Sequence, residues 1–210
     1  MSALFVIIII IFGVLITLKI FYPKIKGRIG ESYIVNELSR LDSARYRVLN
    51  DVMLPSLGRT STTQIDHLVI SNYGIFCIET KNYSGWIFGN ADGDYWTQVI
   101  YRYKEKFYSP IRQNYAHIKA IEAILGLGYE QVPIFSLVVF PSADKLKISG
   151  TDTVIFVDEL LPAIKSHSSA CLSNEKRDAI YNKFLLANVN DKRERKEHIA
   201  QVRQSKHFIL

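Results

Sequence analysis

The amino-acid sequence predicts an α/β fold with a mixed sheet, preceded by an apolar helix and followed by a helical extension. Three observations lead to this prediction. The elements are expected in the order helix, three strands, helix and strand. The chain has 210 residues, a length typical of one compact domain with an appendage. Apolar residues make up 48% of it, which excludes an intrinsically disordered chain.

The first predicted element is an apolar segment close to the N-terminus. Residues 3–22 read ALFVIIIIIFGVLITLKIFY, in which Lys19 is the only charged residue. A helix of about 20 apolar residues is needed to cross a bilayer. A cleavable signal peptide is a poorer interpretation, because no basic residue precedes the segment and no small-residue cleavage site follows it. We therefore expect residues 3–22 to form a transmembrane anchor.

The residues that flank this segment predict its orientation. Lys24, Lys26 and Arg28 follow it, and only Met1 and Ser2 precede it. By the positive-inside rule, we expect a single-pass membrane protein with its C-terminal domain in the cytoplasm. The two cysteines are far apart, which excludes a disulfide scaffold and a zinc ribbon and is typical of a reducing compartment.

A helix and three strands are expected next. Apolar residues at helical spacing predict an amphipathic helix over residues 27–41, and Pro23 is expected to loosen its continuity with the anchor. Residues 46–54 form a predicted strand, and a flexible connection follows it. Residues 64–70 and 74–80 are rich in β-branched residues on either side of a short turn, which predicts a hairpin.

The second half of the chain continues with mixed elements. Residues 85–107 are expected to hold one or two short strands, and Pro110 begins a helix that runs to about Leu125. The elements predicted after this helix are strands at 131–140 and 153–157, helices at 158–166 and 174–189, and a charged tail over the last twenty residues. The predicted domains are the anchor with its basic flank, the main domain and the extension, at residues 1–26, 27–150 and 151–210.

The hairpin brings together the residues with the clearest chemistry. If Asn72 and Tyr73 form its turn, Asp66 lies opposite Glu79, with Cβ atoms roughly 5 Å apart. Two carboxylates at that distance repel each other unless a divalent cation lies between them. Lys81 points to the same face as Glu79, which is otherwise apolar, so the pattern indicates an oxygen-ligand site for Mg²⁺ or Mn²⁺. The alternative is a surface salt bridge between Lys81 and one of the carboxylates.

Several short motifs in this region resemble those of the nuclease-related domain (NERD) family. They lie in order between about residues 27 and 125, and they are Gly30-Glu31, Gln64-Ile65-Asp66-His67, Gly74 to Asn82, Gly85 to Gly89, Trp96, and Ser109 to Asn114 with His117. The family is placed in the PD-(D/E)xK nuclease superfamily, so the resemblance implies a restriction-endonuclease-like αβββαβ core. Two positions depart from the pattern, since Ile65 replaces the superfamily's proline and Ser109 stands where asparagine is more frequent.

The resemblance also implies roles for individual residues. Asp66 and Glu79 would bind the metal, Mg²⁺ or Mn²⁺, and Thr80 would add its backbone carbonyl. Lys81 would orient or activate the attacking water and offset the charge of the transition state. Two more residues belong to the implied catalytic set, namely Glu31, which would reach the metal through water, and Gln113, which would place water or phosphate. The implied reaction is hydrolysis of a phosphodiester bond without a covalent intermediate.

Several other residues have two interpretations each. His117 shares a helix face with Gln113, where it either contacts phosphate or caps a polar cluster. His67 points away from Asp66 and is expected to be structural. Trp86 and Trp96 are expected to pack the short strands onto the core rather than to stack on bases. A solvated helix is favoured for the tail over contacts of nucleic acid or anionic lipid with its basic residues, which are Lys192, Arg193, Arg195 and Lys196.

These patterns lead to one expected function and one alternative. The net charge of +6 favours an anionic partner, either nucleic acid or lipid. We expect a membrane-anchored, cytoplasm-facing, divalent-metal-dependent nuclease, with DNA as the favoured substrate. The alternative is a catalytically inactive nuclease-like module that binds nucleic acid or a protein partner at the membrane.

Overall fold

A computed structural model of the protein describes residues 3–56, 61–191, 193, 195–198 and 200–201, apart from the side chains of residues 3, 4, 6, 8, 9 and 14–24. The elements, in chain order, are α1 (Ala3–Leu38), β1 (Tyr46–Pro55), β2 (Thr62–Ser71), β3 (Gly74–Thr80), β4 (Gly85–Asn90), β5 (Tyr95–Ile100), β6 (Tyr103–Tyr108), α2 (Pro110–Leu125), β7 (Ile134–Phe140), β8 (Ala143–Ser149), β9 (Val154–Phe156), α3 (Leu160–Ser166) and α4 (Asn174–Ala187). A short 3-10 turn, Val157–Glu159, precedes α3.

A mixed sheet in the order β1-β2-β3-β7-β9 forms the centre of the domain. β1, β2 and β3 are antiparallel neighbours, whereas β7 runs parallel to β3 and β9 parallel to β7. β3 reads GIFCIET and is buried along its whole length, because α2 and α4 cover one face of the sheet and α1 and α3 cover the other. The predicted α/β fold with a mixed sheet and a C-terminal helix is confirmed.

A second sheet, in the order β6-β5-β4-β8, packs against the end of β7. Its buried face contributes Ile87 and Trp96, which share a cluster with Val138 and Phe140 of β7. The prediction of one or two strands over residues 85–107 is wrong, since this segment forms β4, β5 and β6. The sequence also does not predict β8, because ADKLKIS is a half-exposed, lysine-rich stretch whose partner strand β4 is remote in the chain.

α1 runs without interruption from Ala3 to Leu38, so the expected loosening at Pro23 is wrong. Proline holds φ near the helical value and removes only one hydrogen bond from the helix. Ile34, near the end of α1, is buried against the central sheet, whereas Phe5, near the start, is exposed. Among the residues described with their side chains, no helix is long and apolar enough to cross a membrane.

Some predicted segments lie partly outside the described residues. These are most side chains of the predicted anchor at 3–22, residues 57–60 of the flexible connection, and residues 192, 194, 199 and 202–210 of the tail. The solvated-helix prediction suits Arg193, whose side chain is 87% exposed. It is wrong for Arg195, which forms an ion pair with Asp51 (Nη1 to Oδ2, 2.7 Å), and for His198, whose ring lies 2.9 Å from the Thr62 hydroxyl.

Candidate active site

β2 and β3 position the predicted acidic pair. Their ladder begins at the turn with Ser71 opposite Gly74, which confirms the predicted turn and register. The ladder ends one pair before Asp66 and Glu79, where the two strands separate. There the Asp66 carboxylate accepts a hydrogen bond from the Thr80 backbone N–H at 2.8 Å. The two carboxylates therefore lie side by side at the end of β3.

Glu79 lies at the centre of the site, with a side chain that is 1% exposed. One of its oxygens, Oε1, accepts a hydrogen bond from Lys81 Nζ, and the other, Oε2, lies 3.1 Å from His117 Nε2. The second ring nitrogen of His117, Nδ1, lies 2.7 Å from the Thr63 hydroxyl. A neutral His117 that donates from Nε2 and accepts at Nδ1 satisfies all of these groups. This geometry is that of a histidine capping a polar cluster.

Lys81 connects the acidic pair to α2. Its ammonium group donates to Glu79 and also to Gln113 Oε1, at 2.9 Å. Gln113 and His117 lie one turn apart on α2, so this helix presents both polar side chains to the end of β3. The structure therefore joins Glu79, Lys81, Gln113 and His117 in one chain of hydrogen bonds, with Asp66 beside it.

The two carboxyl groups differ in their electrostatic surroundings. Burial and the charge of Glu79 raise the pKa of Asp66 well above its usual value, against the opposing effect of Lys81. Burial would raise the pKa of Glu79 as well, but Lys81 and His117 outweigh burial and lower it. The pKa of Lys81 is raised, because the two carboxylates outweigh its burial. Glu79 is thus held as an anion by its partners, whereas an anionic Asp66 is poorly compensated by the protein alone.

The donor groups around Asp66 fit a hard divalent cation. Asp66 is partly exposed, and its hydrogen-bond partner among the described residues is the Thr80 N–H alone, so the oxygen Oδ1 is available to a ligand. Both oxygens of Glu79 have partners, so this residue would share its carboxylate with a cation only after Lys81 moves. Within the described part of the chain, no three His, Cys, Asp or Glu side chains form a ready-made metal site. Mg²⁺ needs only one or two carboxylates together with water and phosphate.

The site lies in a segment that matches a known protein family. The nuclease-related domain matches residues 26–141, which is more than half of the chain and includes every residue of the site. The chain belongs to the nuclease-related domain (NERD) family. An uncharacterized protein of Bacillus anthracis is 39% identical to this NERD protein over 181 residues, which cover 84% of this chain and 84% of that protein. No solved structure matches the chain.

A glycine lets α1 of the NERD protein approach the site. A Cβ added to Gly30 would lie 2.6 Å from the Cβ atom of Asn82, which follows β3 directly. Asn82 donates through Nδ2 to the carbonyl of Lys26 and accepts a hydrogen bond from the Ser142 hydroxyl. These contacts hold α1 against the end of β3, and they explain why the motif begins with a glycine.

Glu31 follows Gly30 and lies near enough to the site to be affected by its charges. Burial raises the pKa of Glu31, and the charges of Asp51 and Glu79 add to this effect. Its carboxylate makes no hydrogen bond to another residue in the described part of the protein. The role of Glu31 as a residue that reaches a metal through water stays a prediction.

We expect Gly30→Ala to lower the free energy of unfolding. The added methyl group would displace Asn82 or move α1, and overpacking of this kind costs roughly 1–3 kcal/mol. Gly27→Ala is the matched control, because an added Cβ there meets nothing closer than Glu31 Oε1 at 4.0 Å. Replacing a glycine inside a helix by alanine stabilises by roughly 0.5–1 kcal/mol. Chemical unfolding measures the difference, and equal stabilities of the two variants would contradict the packing argument.

Asn114 supports the site, and the sequence analysis assigns it no role. It is fully buried, and its amide joins α2 to two central strands. Nδ2 donates to the carbonyl of Cys77 at 2.9 Å and to the Ser136 hydroxyl at 2.8 Å, and Oδ1 accepts from Cys77 Sγ at 2.8 Å. Asn114 thereby fixes the part of α2 that carries Gln113 and His117. The available signal was a polar residue on the core-facing side of an amphipathic helix, which must find partners when buried.

His67, Trp86 and Trp96 differ in how well they follow expectation. His67 is buried with Nδ1 2.8 Å from Asn50 Oδ1, and burial lowers its pKa to about 4, which suits the expected structural role. Trp96 is 1% exposed and packs in the core as predicted. Trp86 is 45% exposed, so the prediction that it packs onto the core is wrong. The alternation along β4 turns Ile87, rather than Trp86, toward the core.

Proposed function

We propose that this NERD protein is a divalent-metal-dependent nuclease, using Mg²⁺ or Mn²⁺, that hydrolyses phosphodiester bonds of nucleic acid, with DNA as the favoured substrate. The observation that carries the proposal is the convergence of Asp66, Glu79, Lys81 and Gln113 at the end of β3 within a nuclease-related domain. Paired carboxylates suit a hard cation, and a neighbouring ammonium group suits the negative charge of a phosphodiester.

Asp66 and Glu79 would hold the metal, with the Thr80 backbone carbonyl as a third ligand. When bound, a divalent cation supplies Lewis-acid stabilisation of negative charge and lowers the pKa of water. Asp66 offers its open oxygen directly. Glu79 would release Oε1 from Lys81, and the hydrogen bond from Lys81 to Gln113 would then keep the ammonium group beside the site.

Lys81 is held between two acceptors, so its charge is oriented before a substrate binds. Negative charge grows on the phosphate oxygens during attack by water, and a positioned ammonium group stabilises that charge without reorganisation. Gln113 accepts from Lys81 through Oε1, which leaves its Nε2 group to donate to water or phosphate. His117 holds the second oxygen of Glu79 and so fixes the orientation of this carboxylate.

We further propose that residues 3–22 anchor the protein in a membrane, with the C-terminal domain in the cytoplasm. The uninterrupted apolar sequence and the basic residues after it support this proposal. Side chains described in this segment are each more than half exposed to solvent, namely Phe5, Ile7, Ile10, Ile11 and Phe12. A cluster of exposed apolar side chains is typical of a surface that contacts a partner or a membrane.

The proposed activity is tested with the full 210-residue chain in detergent. We expect cleavage of single-stranded or duplex DNA, or of RNA, in Mg²⁺ or Mn²⁺ and no cleavage in EDTA. Asp66→Asn protein purified in parallel controls for a contaminating nuclease. Equal cleavage by the two proteins, or no cleavage of any substrate in either metal, would contradict the proposal.

A second candidate function is favoured by the partners of Glu79. Lys81 and His117 occupy both of its oxygens, an arrangement that satisfies the carboxylate without a metal. In this alternative, the protein is a catalytically inactive nuclease-like module that binds nucleic acid or a protein partner at the membrane. Salt-sensitive binding of nucleic acid without any product in Mg²⁺ or Mn²⁺ would support it.

A further inference from the structure

The outer face of the second sheet combines aromatic and basic side chains. In β4, Trp86 and Phe88 point away from the core, and each lies beside a lysine of β8: Trp86 beside Lys145, and Phe88 beside Lys147. On the other side, β5 places Val99 and Thr97 opposite Trp86 and Phe88, and it places the same two residues opposite Lys104 and Lys106 of β6. Opposed residues of paired strands share a face. We name Trp86, Phe88, Lys104, Lys106, Lys145 and Lys147 the aromatic–basic face.

The lysines of β8 are in direct contact with the aromatic rings. Lys147 Nζ lies 4.6 Å from the centroid of the Trp86 ring and 5.1 Å from that of Phe88. Lys145 Nζ lies 5.3 Å from the Trp86 ring. These cation–π contacts place positive charge next to the rings, and Trp86 is still 45% exposed. The rings are therefore accessible to a planar ligand that also carries negative charge.

The charge of this face is not balanced by acidic residues. Within the described strands of the second sheet, the paired positions of this face carry four lysines and no carboxylate. Glu105 of β6 lies opposite Gln98, which is buried on the other face. Asp144 of β8 lies at the irregularity between the pairs of Ala143 and Lys145, outside the paired positions. A face of this kind is complementary to a polyanion.

We infer that the aromatic–basic face binds single-stranded nucleic acid, with bases stacked on Trp86 and Phe88 and phosphates at the lysines on either side. Single-strand binding surfaces combine stacking rings with a basic track in this way. A duplex hides the faces of its bases, and a lipid headgroup would engage the lysines and leave the rings unused. Trp86 follows Lys81 by five residues, so their Cα atoms are at most roughly 18 Å apart. The inference rests on the proposed function only for the fate of the strand, since binding itself needs no reaction.

The first test is binding of labelled oligonucleotides to the full chain in EDTA, where hydrolysis does not interfere. The probes are a 12-nucleotide oligothymidylate, the matching oligouridylate and a DNA duplex of the same length, measured by fluorescence anisotropy over a range of salt concentrations. We expect the single strands to bind more tightly than the duplex. The DNA and RNA arms identify the preferred strand, and tighter binding of the duplex, or binding of no probe, would overturn the inference.

The second test compares variants of the lysines. The double variant Lys145→Gln/Lys147→Gln should bind oligothymidylate on the order of tenfold more weakly, and the slope of log K against log salt should fall by roughly 1.4, or 0.7 per phosphate contact. The double variant Lys165→Gln/Lys176→Gln is the matched control, because it removes two exposed lysines from the helical layers. Equal weakening by the two double variants would show general charge attraction only and would overturn the inference.

The third test uses the tryptophan itself. The chain has two tryptophans, of which Trp96 is buried and Trp86 is exposed. Stacking should quench tryptophan fluorescence in the wild type, and Trp86→Phe should lose this quenching while it keeps most of the affinity. Trp86→Ala should bind on the order of tenfold more weakly. Wild-type affinity of a folded Trp86→Ala protein, checked by circular dichroism, would overturn the stacking role.

Discussion

Asp66→Asn is expected to reduce cleavage by at least roughly 10³-fold and to raise the free energy of unfolding of the metal-free protein by on the order of 1 kcal/mol. Activity falls because the amide removes the carboxylate oxygen that is open to a cation. Stability rises because the amide carries no charge to be buried or to be repelled by Glu79. The amide oxygen still accepts the hydrogen bond from Thr80, so the end of β3 keeps its geometry.

Unfolding by urea in EDTA and at increasing Mg²⁺ concentrations measures both effects. Mg²⁺ should stabilise the wild type in proportion to the logarithm of its concentration above Kd, and it should leave Asp66→Asn unchanged. Asp152→Asn removes an exposed carboxylate before β9 and is the matched control, with an expected change within about 0.5 kcal/mol. The prediction fails if Asp66→Asn is less stable than the wild type in EDTA, or if Mg²⁺ stabilises both proteins equally.

Local sequence signals predict the elements that carry the site. Asn72 and Tyr73 between two β-branched runs set the register of the hairpin, and Pro110 begins α2 at the predicted position. The alternation of a strand then places Asp66 and Glu79 side by side. These features depend on residues close in sequence, whose conformational preferences act before any tertiary contact forms.

Contacts between remote segments do not follow from such signals. The hydrogen bonds of His117 to Glu79 and of Asn114 to Cys77 exist because α2 packs across β3, and neither spacing nor periodicity specifies that packing. The exposure of Trp86 has a similar origin. β4 begins GWIF, with apolar residues on both faces, so its sequence does not decide which face turns inward. Pairing with β5 and β8 decides it.

The same distinction separates the two charges that the site depends on. Asp66 is costly to the fold in the absence of a cation, because its surroundings compensate its charge poorly. Lys81 has the opposite effect, since it holds Glu79 as an anion within the fold. A site that stores repulsion at one carboxylate and balances the other is expected to respond in opposite directions to loss of the two residues.

Lys81→Met is accordingly expected to separate catalysis from metal binding. Loss of the ammonium group removes the charge that faces the phosphate, so cleavage should fall on the order of 10²–10³-fold. Glu79 loses one of its two partners, and a buried carboxylate left without its cation destabilises a protein by roughly 3–5 kcal/mol. Oε1 of Glu79 becomes available at the same time, so Mg²⁺ should bind at least as tightly as in the wild type.

Calorimetric titration with Mg²⁺, together with unfolding in EDTA and in Mg²⁺, checks this prediction. The matched control is Lys119→Met, which removes an exposed lysine paired with Glu122 at 2.7 Å and should change stability by less than about 1 kcal/mol. Mg²⁺ should restore part of the stability lost in Lys81→Met, because the metal replaces the missing charge at Glu79. If Lys81→Met lost Mg²⁺ binding together with cleavage, Lys81 would be a support for the acidic pair. If the variant kept both, its proposed contact with phosphate would be wrong. Loss of cleavage with Mg²⁺ binding retained is the result that assigns the metal to the carboxylates and the phosphate to Lys81.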